Sequence, residues 1–205
     1  MIRYQNLIFD LGNVLYAIDY ALTDQAFIRL QAKYGIPAAQ FPTPAAQPVM
    51  EAYEKGLIDT PTFRSQMRVA LKLAEATDDE LDEAWNALLL GMFPGRDSLM
   101  AKLKGKYRIV LLSNTNALHW DYLKDDFEPT AQHMHQLFVS FEMGARKPDR
   151  DIFDQLLQST GFRPEETIFI DDTAMHLATA AQLGLHTHHM TGESAFRDFL
   201  LRIGA

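Results

Sequence analysis

The chain is long enough for one large domain, or for a core domain with a modest insertion, since it has 205 residues. Its net charge is −8 and no segment concentrates Lys and Arg, which argues against nucleic acid and anionic membrane as partners. It has no cysteine, which excludes disulfides, thiolate chemistry and cysteine-ligated zinc.

The first predicted strand is the apolar run from Leu7 to Phe9, which stops at Asp10. A short, unbroken apolar run is typical of a strand buried on both faces, as in a parallel sheet. The residues that follow, Leu11 to Asn13, predict a turn, because Gly and Asn tolerate positive φ. A carboxylate at the carboxyl end of a central parallel strand lies where such sheets bind ligands. Asp10 taken alone is equally well explained as a turn cap.

The start of the chain predicts no secretion signal, because the first strand begins within a few residues of Met1. The longest apolar run, Ala87 to Phe93, is too short to span a bilayer. We therefore expect a cytoplasmic protein.

Residues from about Tyr20 to Phe93 have helical periodicity, and no strand is predicted among them. A helix is expected over Thr23–Tyr34, a proline-rich loop over Pro37–Pro48, a helix with Thr60 as its N-cap, and a helix opened by a Thr77–Glu80 capping box and running through Leu90. The stretch is predicted to be an all-helical insertion after the first strand.

From Arg96 onward, predicted helices and strands alternate. The strands are expected at residues 107–112, 137–141, 167–170 and 185–190, and the helices at 99–104, 114–124, 149–160, 173–183 and from about 194. Such alternation predicts right-handed crossovers and an α/β fold with a doubly wound parallel sheet.

Polar residues follow several of these strands. Asp10, Ser113 and the pair Asp171 and Asp172 each come where an apolar strand stops, and Lys147 lies just past a further strand. Parallel strands place their carboxyl ends on one edge, so these side chains are expected to converge. Each alone has an ordinary explanation as a helix cap or a solvated charge, but their joint placement is much harder to explain in that way.

These residue types suit phosphoryl transfer. Carboxylates from two strands can hold Mg²⁺, which prefers oxygen ligands. Ser113 and the N–H groups of the following helix suit a phosphate oxygen, and Lys147 supplies a cationic donor. A carboxylate such as Asp10 can attack phosphorus and form an acyl-phosphate.

Four motifs together resemble the haloacid dehalogenase (HAD) superfamily, in its Mg²⁺-dependent phosphatase branch. They are IFDLGNV at Ile8–Val14, VLLSNT at Val110–Thr115, RKP at Arg146–Pro148 and IFIDD at Ile168–Asp172. They occur in family order, and they cover a Rossmann-like core expected at residues 1–17 and 95–205. Residues 18–94 match the inserted helical cap of the family. The motifs FDLGNV and LSNTN are most similar to a bacterial subgroup that includes an α-D-glucose-1-phosphate phosphatase.

The resemblance implies a role for each residue at this edge. Asp10 would be the nucleophile, and the catalytic pair would be Asp10 and Lys147. Mg²⁺ would be held by Asp10, the backbone carbonyl of Gly12, Asp171 and Asp172, and phosphate by Ser113, Asn114 and Lys147. The implied substrate is a small phosphorylated metabolite, in particular a sugar phosphate such as a sugar 1-phosphate. The protein is expected to be a monomer or a homodimer, without nucleic-acid or membrane partners.

One departure from the family pattern concerns Gly12. Most phosphatases of this superfamily have a second Asp there, which protonates the leaving group and later activates water. A general acid or base contributes about 10²–10⁴-fold to rate, so turnover is slow, the leaving group is good, or another residue substitutes. Asp19 and His119 are candidates, although a helix cap and a solvated helix position explain them equally well.

Two other functions stay open at this point. The missing Asp at position 12 fits a non-catalytic protein that binds a phosphorylated metabolite. A metal-free 2-haloacid dehalogenase also uses an Asp nucleophile, but the adjacent Asp171 and Asp172 favour a metal and argue against it.

Overall fold

A computed structural model describes residues 4–37 and 40–204 of the chain. The strands are β1 (Asn6–Phe9), β2 (Tyr16–Ile18), β3 (Leu89–Met92), β4 (Arg108–Ser113), β5 (Gln136–Val139), β6 (Thr167–Asp171) and β7 (His186–His189). The helices are α1 (Tyr20–Lys33), α2 (Gln47–Glu54), α3 (Thr60–Leu71), α4 (Asp78–Asn86), α5 (Arg96–Lys104), α6 (Ala117–Ala131), α7 (Ser140–Met143), α8 (Arg150–Thr160), α9 (Ala174–Gln182) and α10 (Glu193–Ile203).

The core is a five-stranded sheet in the order β5-β4-β1-β6-β7. All of its neighbouring strands pair in parallel, and β1 is the middle strand of the order, as the sequence predicts. The predicted α/β fold class is confirmed. Because the strands are parallel, the residues that follow β1, β4 and β6 meet on one side, which we call the carboxyl edge.

Both faces of the sheet are buried, which explains the unbroken apolar strands. Leu7 and Phe9 face one layer, formed with apolar residues of α5, α6 and α10. Ile8, between them, faces the other layer, formed with residues of α8 and α9. Alternate residues of a strand point to opposite faces, so a strand covered on both sides needs apolar side chains throughout.

Helices α1 to α4 pack around an apolar core of their own. The buried members of this core include Phe27, Leu30, Tyr53, Phe63, Met67, Leu71, Leu81, Ala84 and Trp85. We call residues 18–94 the helical unit, and its assignment as a separate domain is our proposal. None of the helices formed by the described residues has both the length and the hydrophobicity to cross a membrane.

The prediction of no strand between about Tyr20 and Phe93 is wrong. Helix α4 ends at Asn86 rather than running through Leu90, and β3 pairs antiparallel with β2. The amide of Phe93 extends this pairing by donating to the carbonyl of Leu15 over 2.9 Å. Apolar spacing alone does not distinguish a short strand from the end of a helix. Here the pairing with β2, about seventy residues away in the sequence, makes these residues a strand.

Two predicted helix starts had different outcomes. The Thr77–Glu80 capping box is present at the start of α4. The N-cap of α3, however, is Asp59 rather than Thr60, because the Asp59 side chain accepts the Thr62 amide over 2.9 Å. Of the loop predicted over 37–48, residues 38–39 lie outside the described residues, and α2 already begins at Gln47.

The end of α2 lies close to the sheet core. Gly56 follows this helix with a φ of +64°, and a Cβ atom there would collide with the main-chain carbonyl of Phe141 in α7. The chain after α2 can therefore approach α7 this closely only because residue 56 has no side chain.

Candidate active site

Three carboxylates converge at the carboxyl edge. One oxygen from each of Asp10, Asp171 and Asp172 lies within 4.8 Å of the others. Asp10 follows β1 and Asp171 ends β6, and these strands are neighbours in the sheet. Convergence from residues some 160 positions apart is what the parallel arrangement predicts.

Lys147 is fully buried among these carboxylates. Its Nζ atom donates to Asp10 Oδ1 and to Asp171 Oδ2 over 2.7 Å each. It also donates over 2.9 Å to the carbonyl oxygen of Leu112. An ammonium group has three donor hydrogens, so all three are used.

The ionisation of this cluster follows from burial and charge. Burial raises the pKa of Asp10, with Lys147 opposing and Asp171 and Asp172 adding to the rise. Burial also acts to raise the pKa of Asp171, but Lys147 and His176 outweigh it and lower that pKa to about 2. For Lys147, the two carboxylates outweigh burial and keep its pKa above the ordinary value, so it stays protonated.

Neighbouring residues orient the two aspartates after β6. His176 Nδ1 lies 3.0 and 3.1 Å from the two oxygens of Asp171, and the Thr173 amide donates to Asp171 over 2.7 Å. Asn13 Nδ2 donates to Asp172 over 3.1 Å. His176 is not among the predicted site residues, because its only local signal is its place in the first turn of α9.

The cluster fits a divalent cation. When the three carboxylates bind a cation in ionised form, they and the one ammonium together carry two negative charges, which a doubly charged ion neutralises. All the donor atoms are carboxylate oxygens, the ligands that Mg²⁺ prefers. Asp10, Asp171 and Asp172 would hold the ion, and the carbonyl of Gly12, in the turn beside Asp10, is a proposed fourth ligand.

The predicted phosphate-binding residues follow β4. Ser113 is buried, and its hydroxyl makes only a 3.5 Å contact with the next carbonyl. The Asn114 side chain pairs with the main chain of Lys147, donating to its carbonyl and accepting its amide at 2.8 Å each. Asn114 therefore positions Lys147, and its own backbone N–H is the part we propose for phosphate.

Neither residue considered as a substitute for the missing Asp is available. A Cβ atom on Gly12 would lie 2.7 Å from Ile18 Cδ1, so β2 fills the space beside the glycine. Asp19 is exposed and caps α1, since its side chain accepts the Ala21 amide over 2.9 Å.

His119, the other residue considered, is held by contacts with the helical unit. Its ring stacks on Trp85 with the centroids 4.9 Å apart, and Nε2 lies 3.1 Å from the Trp85 carbonyl. Asn116 accepts from Trp85 Nε1 over 3.2 Å, so its amide nitrogen faces His119 Nδ1 at 3.0 Å. Both ring nitrogens are thus occupied, and burial lowers the pKa of His119 to about 4. The ring is neutral and has no proton free for a substrate.

A charged pair from α2 and the loop before Lys147 also borders the site. Glu54 Oε2 lies 3.1 Å from Arg146 Nε, and the two side chains are 21% and 27% exposed. Glu54 lines a cleft of about 490 Å³ together with Arg146 and Lys147. Glu54 is not among the predicted site residues, because its position beside Arg146 depends on how the helical unit packs against the core.

The family is established by comparison with known proteins. Residues 4–184 match the haloacid dehalogenase-like hydrolase family. The chain belongs to this family. The resemblance based on the four motifs is therefore confirmed at the level of the superfamily, and the subgroup stays a prediction.

Several relatives match this family member over nearly their whole length. A D-ribitol-5-phosphate phosphatase from Bacteroides thetaiotaomicron is 29% identical over 207 residues, covering 96% of each chain. A crystal structure of HAD family enzyme BT-2542 from the same organism has a TM-score of 0.85 at 30% identity, covering 96% of this chain and 98% of the other. An Asp-to-Ala mutant of BT-2542, in complex with magnesium and inorganic phosphate, has a TM-score of 0.80 at 28% identity, covering 95% and 98%.

Proposed function

We propose that this hydrolase is a Mg²⁺-dependent phosphatase that cleaves a small phosphorylated metabolite through an aspartyl-phosphate on Asp10. The observation that carries the proposal is the convergence of three carboxylates at the carboxyl edge, two of which pair with one buried lysine. The magnesium and phosphate complex of a related HAD enzyme supports the same chemistry.

In this mechanism Asp10 attacks phosphorus and Lys147 controls the attacking group. The hydrogen bond from Lys147 Nζ to Oδ1 fixes the carboxylate, leaving Oδ2 as the attacking atom. Bound Mg²⁺ supplies positive charge that offsets the charge of the phosphoryl oxygens. The Ser113 hydroxyl and the N–H groups after it bind the remaining phosphoryl oxygens.

The substrate class is proposed on two grounds. A relative of similar length is named for D-ribitol 5-phosphate, a sugar-alcohol phosphate. The motif resemblance favours a sugar 1-phosphate, whose anomeric oxygen is a better leaving group than an ordinary alkoxide. Both are small polyhydroxylated phosphate esters, and we propose that class. The helical unit is proposed to close over the carboxyl edge and select among its members.

The test measures phosphate release from a panel of sugar and sugar-alcohol 1-, 5- and 6-phosphates, with Mg²⁺ and with EDTA. We expect Mg²⁺-dependent release that Asp10→Asn abolishes, because an amide cannot form the acyl-phosphate. Asp19→Asn is the matched control, since asparagine also caps helices well. That variant should retain wild-type activity.

Three results would contradict the proposal. Calorimetric binding of a phosphate ester without turnover would support the non-catalytic alternative. Halide release from a 2-haloacid in EDTA would support the dehalogenase. Full activity of Asp10→Asn would show that the nucleophile is another residue.

A further inference from the structure

Most phosphatases of this superfamily protonate the leaving group with an Asp at position 12, where this chain has a glycine. Gly12 has no side chain, and Ile18 Cδ1 fills the space where a Cβ atom would lie. Asp19 caps a helix, and His119 is locked neutral. An alkoxide is a poor leaving group, so an alkyl phosphate needs a proton donor on the leaving-group side.

Glu54 borders two cavities at the site. It lines the cleft of about 490 Å³ that contains Arg146 and Lys147. It also lines a smaller cavity of about 60 Å³, shared with Gly12 and Ser113. That volume has room for a few water molecules. Glu54 therefore borders both the open cleft and the space beside the nucleophile and the phosphate-binding serine.

A second observation places Glu54 near the reacting carboxylates. Burial raises the pKa of the Tyr20 hydroxyl, and the negative charges of Asp10, Glu54 and Asp172 add to the rise. Tyr20 itself lines the smaller cavity. Glu54 thus lines the same small cavity as Gly12, which lies two residues after the nucleophile, and as Ser113, the proposed phosphate-binding residue.

The surroundings of Glu54 suit a group that exchanges a proton. Oε2 is buried, lies 3.1 Å from Arg146 Nε, and has no hydrogen-bond partner among the described residues because the two atoms are poorly aligned. Burial raises the pKa of Glu54, Arg146 opposes this, and Glu51 adds to the rise. A carboxyl that is neither fully solvated nor locked in a bidentate pair can serve as acid and then as base.

We propose that Glu54 is the general acid and base of this enzyme, acting from the helical unit in place of a side chain at position 12. The inference rests on the phosphatase function proposed above. In the first step, the Asp10 oxygen bonds to phosphorus, the ester P–O bond breaks, and the Glu54 carboxyl gives its proton to the departing alkoxide, so an alcohol leaves. In the second, the Glu54 carboxylate takes a proton from water, the water oxygen bonds to phosphorus, and the Asp10 O–P bond breaks. Inorganic phosphate leaves, and Glu54 is protonated again.

The test compares Glu54→Gln with Glu51→Gln in the presence of Mg²⁺. Glu51 lies one turn earlier on α2, and its carboxylate is 3.9 Å from Arg146. Glu51→Gln therefore removes the same charge as Glu54→Gln, but from a residue that does not border the smaller cavity. With an alkyl phosphate found active in the panel, we expect Glu54→Gln to lower kcat by about 10²–10⁴-fold. Glu51→Gln should stay within about threefold of wild type, as expected for an exposed side chain.

A second readout separates catalysis from a structural role. With p-nitrophenyl phosphate the leaving group needs no proton, so Glu54→Gln should release one nitrophenolate per enzyme in a burst. Slow turnover should follow, because water is no longer activated. The aspartyl-phosphate should then accumulate and be visible by intact-protein mass spectrometry. Glu54→Asp keeps the acid and should restore part of the steady-state rate without this accumulation.

The outcomes distinguish this inference from the proposed function. Wild-type turnover in Glu54→Gln would overturn the role of Glu54 and leave the phosphatase intact. A loss of activity with neither burst nor trapped phosphoenzyme would also overturn it, because Glu54 would then matter only for structure. No phosphate release by the wild type itself would show that the proposed function has failed.

Discussion

Replacing the buried Lys147 by Met tests how the carboxyl edge is held together. Methionine retains most of the lysine stem but removes its charge and its three donor hydrogens. In the folded protein the substitution deletes two ion pairs of 2.7 Å and one hydrogen bond of 2.9 Å. Asp10 and Asp171, which are 7% and 0% exposed, would then remain buried without their cationic partner.

The expected loss of stability follows from that burial. Removing one partner of a buried ion pair costs about 3–5 kcal/mol, because the remaining charge is desolvated and uncompensated. We expect Lys147→Met to lose about this amount in EDTA, and a domain with a total stability of about 5–15 kcal/mol can still fold. Mg²⁺ stabilises each protein by about 2.7 kcal/mol at a hundredfold excess over that protein's Kd, and it should reduce the deficit because the variant, which lacks the competing ammonium group, binds the cation more tightly.

Urea denaturation at neutral pH, with EDTA and with Mg²⁺, measures both effects. Lys124→Met is the control, because Lys124 is 49% exposed and pairs with Asp121 on the surface of α6. Such surface pairs contribute about 0–1 kcal/mol. A deficit for Lys147→Met no larger than that of Lys124→Met would refute the view that Lys147 compensates buried charge.

Two further predictions concern residues beside the site. The His119 pKa of about 4, against an ordinary value of 6.5, means that the unfolded chain binds a proton which the folded protein excludes, so stability should fall as pH drops through this range. In His119→Gln, the free energy of unfolding should decrease by about 3 kcal/mol less between neutral and acidic pH than in the wild type. Urea midpoints with the same pH dependence in both proteins would contradict this prediction. Gly12→Ala should cost about 1 kcal/mol, the low end for overpacking, because Ile18 Cδ1 ends a flexible side chain, and less in an Ile18→Val background that lacks this atom. Thermal unfolding of the double-mutant cycle measures this coupling, and strictly additive losses would argue against the contact.

The sheet and the carboxyl edge were predictable because their signals are local. Each central strand is a run of apolar residues that ends on a polar one, as at Asp10 and Ser113. Once the strands are taken as parallel, geometry brings their ends together without further information. The only long-range element in that prediction is the parallel pairing itself.

The features missed from the sequence depend on distant parts of the chain. Strand β3 exists because β2 pairs with it, and its few residues do not show period-two alternation. Glu54 has no distinctive neighbours in the sequence, and its relevance appears only when α2 packs next to the loop of Arg146. The N-cap of α3 was a smaller error, since Asp59 and Thr60 both suit that position, and they are separated by the extended backbone of Asp59 and by the amide of Thr62 that its side chain accepts.

The glycine after α2 constrains the chemistry although it contacts no reacting atom. Any other residue at position 56 would meet the Phe141 carbonyl, which is part of the main chain and cannot rotate aside. Relief requires α2 to tilt outward, and Glu54 would move with it. An exposed position would then behave under mutation as if it belonged to the catalytic machinery, with turnover falling together with stability.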